Sequence, residues 1–250
     1  GRARKLRGRR WPVAWKAWRE LRLAVLGVWV ITGVLLPAWA ITALAMAARG
    51  NSAVGYMSLD NAVMLAAVAV LALAIGLGAR MGATRAAEVG AFWRSRAIGV
   101  DDYFWPQIGV ELLGLLFLAV WPALLAQAAQ WWWPFGIDSG TQTYLRFGAE
   151  AAADVEHFLL VQIVFMYGLG VMVGAITRNG IVGAMVTIGL GAAWGTGLDV
   201  VLGSKMPMGI DAWLASTGYG VLVLAAAAVA LMIARLFFEY RLWGRGAGGE

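Results

Sequence analysis

The fold is decided by the run Leu23–Ala48, which reads LAVLGVWVITGVLLPAWAITALAMAA and contains no charged side chain. About 20 apolar residues cross the hydrocarbon of a bilayer as a helix, whereas the apolar core of a secretory signal peptide has only about 7–15. This 26-residue run is therefore predicted to be a retained membrane helix.

Five further apolar runs of the same kind follow. The six predicted membrane-spanning helices are Leu23–Ala48, Leu59–Ala79, Ile108–Ala129, Phe158–Ile176, Ile181–Leu202 and Trp213–Phe238. They divide the chain into an arm at 1–22 and a single six-helix domain at 23–250, with a cytoplasmic loop at 80–107, an outer loop at 130–157 and a cytoplasmic tail at 239–250.

The composition agrees with this division. Hydrophobic residues make up 61% of the chain and charged residues 14%, against roughly 25% charged in soluble domains. A soluble core cannot hide so much apolar surface behind so few charges, so a cytosolic enzyme is excluded and the predicted class is an all-α integral membrane protein. With no Cys and one His, the chain offers no disulfide, no thiolate metal site and no multi-histidine site.

The distribution of basic residues predicts the orientation. Six spans put both termini on one side, which would hold 17 of the 20 Lys and Arg residues and leave Arg49, Arg146 and Lys205 opposite. The positive-inside rule makes the basic side cytoplasmic. We therefore expect a bacterial cytoplasmic (inner) membrane protein with both termini inside, and no nucleic-acid partner is inferred from the net charge of +6.

The arm carries a stripe of tryptophan. Trp11, Trp15, Trp18 and Arg22 share one face of a helix, with Arg19 beside it. This pattern predicts an amphipathic helix that lies flat at the inner interface, where Trp sits at headgroup depth and basic side chains meet anionic membrane lipids. The arm either only anchors the first span or transmits motion from a cytoplasmic partner.

The loop at 80–107 is the longest cytoplasmic connection. Good helix formers and an apolar face from Ala87, Phe92 and Trp93 predict a short helix. Asp101 and Asp102 are candidates to cap a following helix that leads into the third span. A short helix presented by a protein without a soluble domain is suited to docking a partner. The alternative is a solvated linker with ordinary topogenic arginines.

The order of these parts resembles the permease subunit of ABC exporters, in the family that moves drugs, lipids, peptides and polysaccharides. RAAEVG at 85–90 resembles the Glu- and Gly-containing helix of that family's first cytoplasmic loop, and SRAIGVDD at 95–102 resembles the segment before its third span. GAITRNG at 174–180 resembles the family's tight turn between spans four and five. The chain has AIG at 97–99 and Gln107 where the family often has a Leu-Pro-Val-like step and a Lys.

The resemblance implies a permease, expected as a homodimer, with two copies of an ABC ATPase subunit docked on the loop at 83–105. The docking residues that it implies are Arg85, Glu88, Phe92, Trp93, Arg94, Arg96, Asp101, Asp102 and Arg178. No GxxxxGK[ST] phosphate loop is present in this chain. We therefore expect ATP and Mg²⁺ in the partner, no cofactor in this chain and no enzymatic activity of its own. The predicted spans hold few polar residues, and such an apolar lining favours amphipathic or lipid-like molecules as the exported cargo.

Glu111 is a candidate coupling residue. It lies about one turn inside the predicted inner boundary of the third span. There it is expected to meet water or an arginine, or else to pair with Arg94 or Arg96 and couple the loop to the span. Transporters driven by an ion gradient usually place ionisable groups deep in the membrane, and the predicted spans carry theirs near the ends. A gradient-driven transporter and a membrane scaffold or assembly factor remain as alternatives.

Two further patterns leave alternatives open. On the outer loop, Glu150, Asp154 and His157 have a helical spacing that can hold a metal ion, although an acidic, solvated cap on span four is the simpler interpretation. Glycines four residues apart permit close helix approach, either within one bundle or between two copies. These pairs are Gly170 with Gly174 and Gly191 with Gly195.

Overall fold

The chain is described by a computed structural model, which covers most of the predicted spans. It describes residues 2–30, 34, 38, 52–83, 100–132, 159–202 and 217–243. Side chains are described over 12–30, 34, 38, 67–83, 100–121, 159–194 and 218–240.

The regular structure of the described residues is helical throughout. The helices are α1 (Arg2–Val30), α2 (Ser52–Ala83), α3 (Val100–Trp132), α4 (Leu159–Thr177), α5 (Gly180–Leu202) and α6 (Thr217–Trp243). Each of them overlaps one predicted span, so the all-helical class is confirmed over the described part of the chain.

Among the described residues, three stretches are long and apolar enough to cross a membrane. These are Val100–Trp121, Leu159–Thr177 and Gly218–Tyr240, and Ala67–Ala83 and Gly180–Trp194 are shorter apolar helices. The outward surfaces of α5 and α6 are also apolar. Ile181 and Met185 of α5 and Val221 and Leu236 of α6 are each more than half exposed. Apolar surface of this extent is suited to lipid rather than water. The length and composition of these helices therefore support a multi-pass membrane protein.

α1 is one helix without a break at the predicted boundary of the arm, after residue 22. Val13, Ala17, Leu21 and Val25 recur every four residues and are buried, so they form one face of the helix. The side chain of Leu21 lies against Gly114 of α3. The arm therefore continues directly into the start of the first span and packs on α3 along this face.

Pairs of contacts show the relative directions of the helices. Leu21 contacts Gly114, and about two turns further on Trp29 lies against Trp121 with ring centroids 5.4 Å apart. Both numbers increase together, so α1 and α3 are parallel. By the same test α4 is parallel to α2 and α6, and antiparallel to α5. The contacts used are Gly78 with Tyr167, Gly82 with Ala175, Gly220 with Val161, Gly168 with Ala227, Gly183 with Gly174 and Gly191 with Met166.

α3 runs opposite to α4 and α6. Glu111 of α3 contacts Tyr167 in α4, whereas Asp101, which precedes it in α3, contacts Arg235 close to the end of α6. Moving toward the start of α3 therefore means moving toward the ends of the parallel helices α4 and α6. The helices therefore alternate in direction. One end of the bundle, which we call the charged end, is formed by the first turns of α3 and α5 and the last turns of α2, α4 and α6.

Glycines bring α2 and α4 into close contact. We call Gly78, Gly82, Gly170 and Gly174 the glycine seam. A Cβ atom on Gly82 would overlap the carbonyl oxygen of Val171 and lie 2.6 Å from the backbone nitrogen of Ala175. Such close backbone approach is the known use of small residues four apart in membrane helices. The pair Gly170 and Gly174 therefore packs within one bundle, which decides between the two alternatives left open by its spacing.

Candidate functional site

The bundle contains a buried polar cluster formed by Gln107, Glu111 and Tyr167. The Gln107 Nε2 amide donates to Glu111 Oε1 at 2.8 Å, and the Tyr167 hydroxyl donates to Glu111 Oε2 at 2.7 Å. Glu111 and Gln107 are each 6% exposed and Tyr167 is fully buried. Each carboxylate oxygen of Glu111 therefore has one protein donor, which offsets the cost of burying the group.

Helix geometry places these three side chains. Gln107 and Glu111 are four residues apart on α3, so they share one face. Tyr167 comes from α4, where it is the ninth of the 19 residues of the apolar stretch Leu159–Thr177. The carboxyl group of Glu111 therefore lies beside the middle of an apolar span, about 15 Å of helix rise beyond Asp101.

An ion pair between α1 and α2 accompanies the cluster. Glu20 Oε2 lies 3.0 Å from Arg80 Nη2, and Glu20 Oε1 lies 3.6 Å from Lys16 Nζ. Glu20 and Arg80 both interact electrostatically with Glu111. Charged or polar side chains from α1, α2, α3 and α4 thus influence a single carboxyl group.

The cluster contains a single acidic side chain, that of Glu111. An acidic group held by two donors can bind or release a proton, whereas a metal ion needs several convergent ligands. Within the part of the chain that the structure describes, no three His, Asp or Glu side chains lie close enough together to hold a metal ion.

A second polar contact joins α3 to α6 at the charged end. Arg235 Nε and Nη2 donate to the two carboxylate oxygens of Asp101 at 2.7 and 3.0 Å, and Arg235 Nη1 donates to Glu239 at 3.1 Å. Asp101 and Asp102 lie within the first turn of α3, where acidic side chains favour the helix dipole. Asp101 thus binds another helix of the same chain, in addition to any role at the start of α3.

The turn between α4 and α5 is short and its cap is well defined. Arg178 adopts a left-handed backbone with φ of 59°, and its N–H donates to the carbonyl of Gly174 at 3.0 Å. Asn179 Oδ1 then accepts from the N–H groups of Ile181 and Val182 at 3.0 and 3.3 Å. This is an αL helix ending followed by an Asn N-cap. The turn holds the exposed Arg178 at the charged end.

The strained position of Arg178 leads to a stability prediction. A left-handed conformation costs an L-residue roughly 1–2 kcal/mol and costs glycine little. We expect Arg178→Gly to raise the free energy of unfolding by about 1 kcal/mol, and Asn179→Ala, which removes the cap, to lower it by about 1 kcal/mol. Denaturant titration of the purified protein measures both, and equal effects of the two substitutions would contradict the described turn.

Comparison with known proteins returned no relative. No family model, no curated protein and no solved structure matches the chain. The site is therefore interpreted from its own residues.

The structure describes part of the residue set named from the sequence. Outside the described residues lie Arg85, Glu88, Phe92, Trp93, Arg94, Arg96, Glu150, Asp154 and His157, together with the side chain of Trp11. The exposed side chains of the set are Trp15, Trp18, Arg19, Arg22, Asp101 and Arg178. The docking and interface roles of all these residues stay predictions.

Residues 100–107, assigned to the cytoplasmic loop from the sequence, form the first two turns of α3. Tyr103 and Phe104 are buried there against Phe238 of α6, with ring centroids 6.1 and 5.9 Å from it. Packing of these aromatic rings explains why the helix begins earlier than the apolar run predicts.

The hydrogen-bond partners of Glu111 are not the ones expected from the sequence, and its coupling role stays a prediction. The sequence placed it near the inner boundary, in contact with water or an arginine, but its hydrogen-bond partners are Gln107 and Tyr167. Tyr167 was not singled out from the sequence. The available signal was a tyrosine in the middle of an apolar run, together with a Gln and a Glu one turn apart in another.

Proposed function

We propose that this chain is the membrane permease subunit of an ATP-driven ABC transporter, an exporter of amphipathic or lipid-like cargo. A separate ATPase subunit would supply the energy, in two copies beneath a homodimer of this chain. The proposal is supported by the long apolar helices of the described residues and by a sequence without a phosphate-binding loop of its own.

One observation carries most of the proposal. α2 ends at Ala83 and α3 begins at Val100, and both residues belong to the charged end. Arg178 is exposed at the same end, on the turn between α4 and α5. The ends of the loop segment that resembles an ABC permease contact region therefore lie on the same side of the bundle as the turn that resembles another, which supports docking of both to a single partner. A partner there would face basic residues, so its contact surface is expected to be acidic.

Co-purification with an ATPase tests the proposal. We expect the chain, expressed together with the ABC ATPase encoded beside its gene, to form a complex that hydrolyses ATP in the presence of Mg²⁺. Arg178→Glu should weaken the complex about tenfold, equivalent to about 1.4 kcal/mol, because a repulsive charge would face an acidic partner. Lys205→Glu, on the side predicted to lie outside, is the matched control.

Equal recovery of the ATPase with Arg178→Glu and with wild type would contradict this docking surface. Absence of any ATPase, together with a stable complex with another membrane protein, would favour the scaffold or assembly factor instead.

The polar cluster supports a second candidate, a transporter driven by an ion gradient. Ionisable residues inside membrane-spanning helices commonly mark ion or proton pathways, and Glu111 lies beside the middle of α4. Uptake by reconstituted vesicles that depends on an ion gradient and needs no nucleotide would favour this candidate over the first.

A further inference from the structure

We propose that the carboxyl group of Glu111 is a proton-binding site within the membrane-spanning bundle, and that its protonation controls the packing of α3 on α4. The proposal concerns the site itself. It holds whether transport is driven by ATP or by a gradient, so its test does not depend on the function proposed above.

The hydrogen bonds of Glu111 show how a proton would act. Both oxygens accept, one from the Gln107 amide and one from the Tyr167 hydroxyl, an arrangement that matches an ionised carboxylate. Protonation at Oε2 forms a new O–H bond at the oxygen that faces the Tyr167 hydroxyl. When that proton points at the Tyr167 oxygen, the hydrogen bond reverses: Glu111 donates, the Tyr167 oxygen accepts, and the hydroxyl hydrogen of Tyr167 turns away and loses its acceptor.

Protonation of Glu111 affects two helices, because its two hydrogen-bond donors, Gln107 and Tyr167, belong to different helices. Gln107 belongs to the same helix as Glu111, so a change in that bond stays within α3. Tyr167 belongs to α4 and is fully buried, so its hydroxyl has no bulk water to replace a lost partner. A buried donor without a partner is unfavourable. Proton binding at Oε2 therefore weakens the link between α3 and α4.

The charged side chains near the Glu111 carboxyl group form an ion pair with each other. Glu111 is therefore the group whose charge a proton would neutralise. Arg80 from α2 and Glu20 from α1 act on Glu111 electrostatically, and they also form an ion pair of opposite charges with each other. From α4 the titratable group is Tyr167 itself, and Tyr103 of α3 acts on Tyr167.

The two charged side chains of α6 that the structure describes are engaged elsewhere. Arg235 and Glu239 form ion pairs with each other, and Arg235 also pairs with Asp101. Asp101 precedes Glu111 by ten residues of α3, which is about 15 Å of helix rise. Over the described residues, the net charge beside Tyr167 therefore depends mainly on whether Glu111 carries its proton.

Infrared spectroscopy of the full-length protein in lipid nanodiscs tests the proposal. The C=O stretch of a protonated carboxyl group is followed from about pH 4 to about pH 9, the range that separates ordinary from buried carboxyl groups. The other carboxyl groups contribute bands at the acid end of this range in every variant. We expect one titrating band of Glu111 to be shared by wild type and the control Glu239→Gln, which removes an acid at the charged end. The same band should be missing from Glu111→Gln, a change that keeps the size of the side chain and removes its titration.

Tyr167→Phe provides a second measurement in a variant that keeps the carboxyl group. Without its donor the balance between the ionised and the protonated form changes, so the midpoint of the band should differ from that of wild type. Amide exchange around Tyr167 should rise as wild type is protonated and should stay constant in Glu111→Gln. Persistence of that band in Glu111→Gln, an unchanged midpoint in Tyr167→Phe or exchange independent of pH in wild type would each overturn the proposal. If Glu111→Gln does not fold, the midpoint in Tyr167→Phe decides.

Discussion

Gly82→Ala is expected to lower the free energy of unfolding by about 3 kcal/mol, although it adds a single methyl group. The added Cβ would overlap the carbonyl oxygen of Val171 and lie 2.6 Å from the backbone nitrogen of Ala175. Both neighbours are backbone atoms of α4, so no flexible side chain can move aside, and the two helices would have to separate.

The matched control for this prediction lies on the same helix. Gly76→Ala adds a Cβ that meets nothing within 4 Å. Alanine favours a helix over glycine by about 1 kcal/mol, so this change should be neutral or mildly stabilising. Thermal unfolding in detergent, followed by circular dichroism, compares the two variants. If both lose stability equally, the close approach of α2 and α4 at the glycine seam is wrong.

Glu111→Leu is expected to lower the free energy of unfolding by about 2–3 kcal/mol. The substitution leaves the buried hydroxyl of Tyr167 and the buried amide of Gln107 without the oxygen atoms to which they donate. Each buried donor left without a partner costs about 1–3 kcal/mol. Glu111→Gln should cost less, since its carbonyl oxygen still accepts one hydrogen bond.

A double-mutant cycle separates the lost hydrogen bond from the lost packing. Adding Tyr167→Phe to Glu111→Leu removes the unpartnered hydroxyl, so the double variant should recover about 1 kcal/mol relative to the sum of the single changes. Interhelical hydrogen bonds in membrane proteins stabilise the fold by somewhat less than this on average. The coupling energy between the two substitutions is therefore the decisive measurement. Additive effects of the two substitutions would show that the bond between Glu111 and Tyr167 does not stabilise the bundle.

The sequence predicted some of these contacts better than others. The spacing of Gly170 and Gly174 predicted a site of close helix approach, and the structure confirms this prediction. The identity of the opposing helix was not contained in that spacing, because any helix with a smooth face satisfies it. Only the packing of α4 on α2 shows that the partner belongs to the same bundle.

Glu111 illustrates the opposite case. Distance from the end of an apolar run placed it near the membrane boundary, because hydropathy measures each run separately. In the structure the helix begins at Val100, and Tyr103 and Phe104 pack against Phe238 in its first turns. Glu111 is therefore the twelfth residue of α3, and its carboxyl group meets Tyr167 of α4.

The amino-acid sequence alone determined the helical class, the approximate extent of five described apolar helices and the absence of a phosphate-binding loop. These properties follow from local features, namely the length of an apolar run and the residues within it. The tertiary structure decided which helix each glycine faces, that Asp101 binds Arg235, and that Gln107 and Tyr167 enclose Glu111. Such contacts join residues up to 134 positions apart, and their register is set by side-chain packing between helices, which no local pattern encodes.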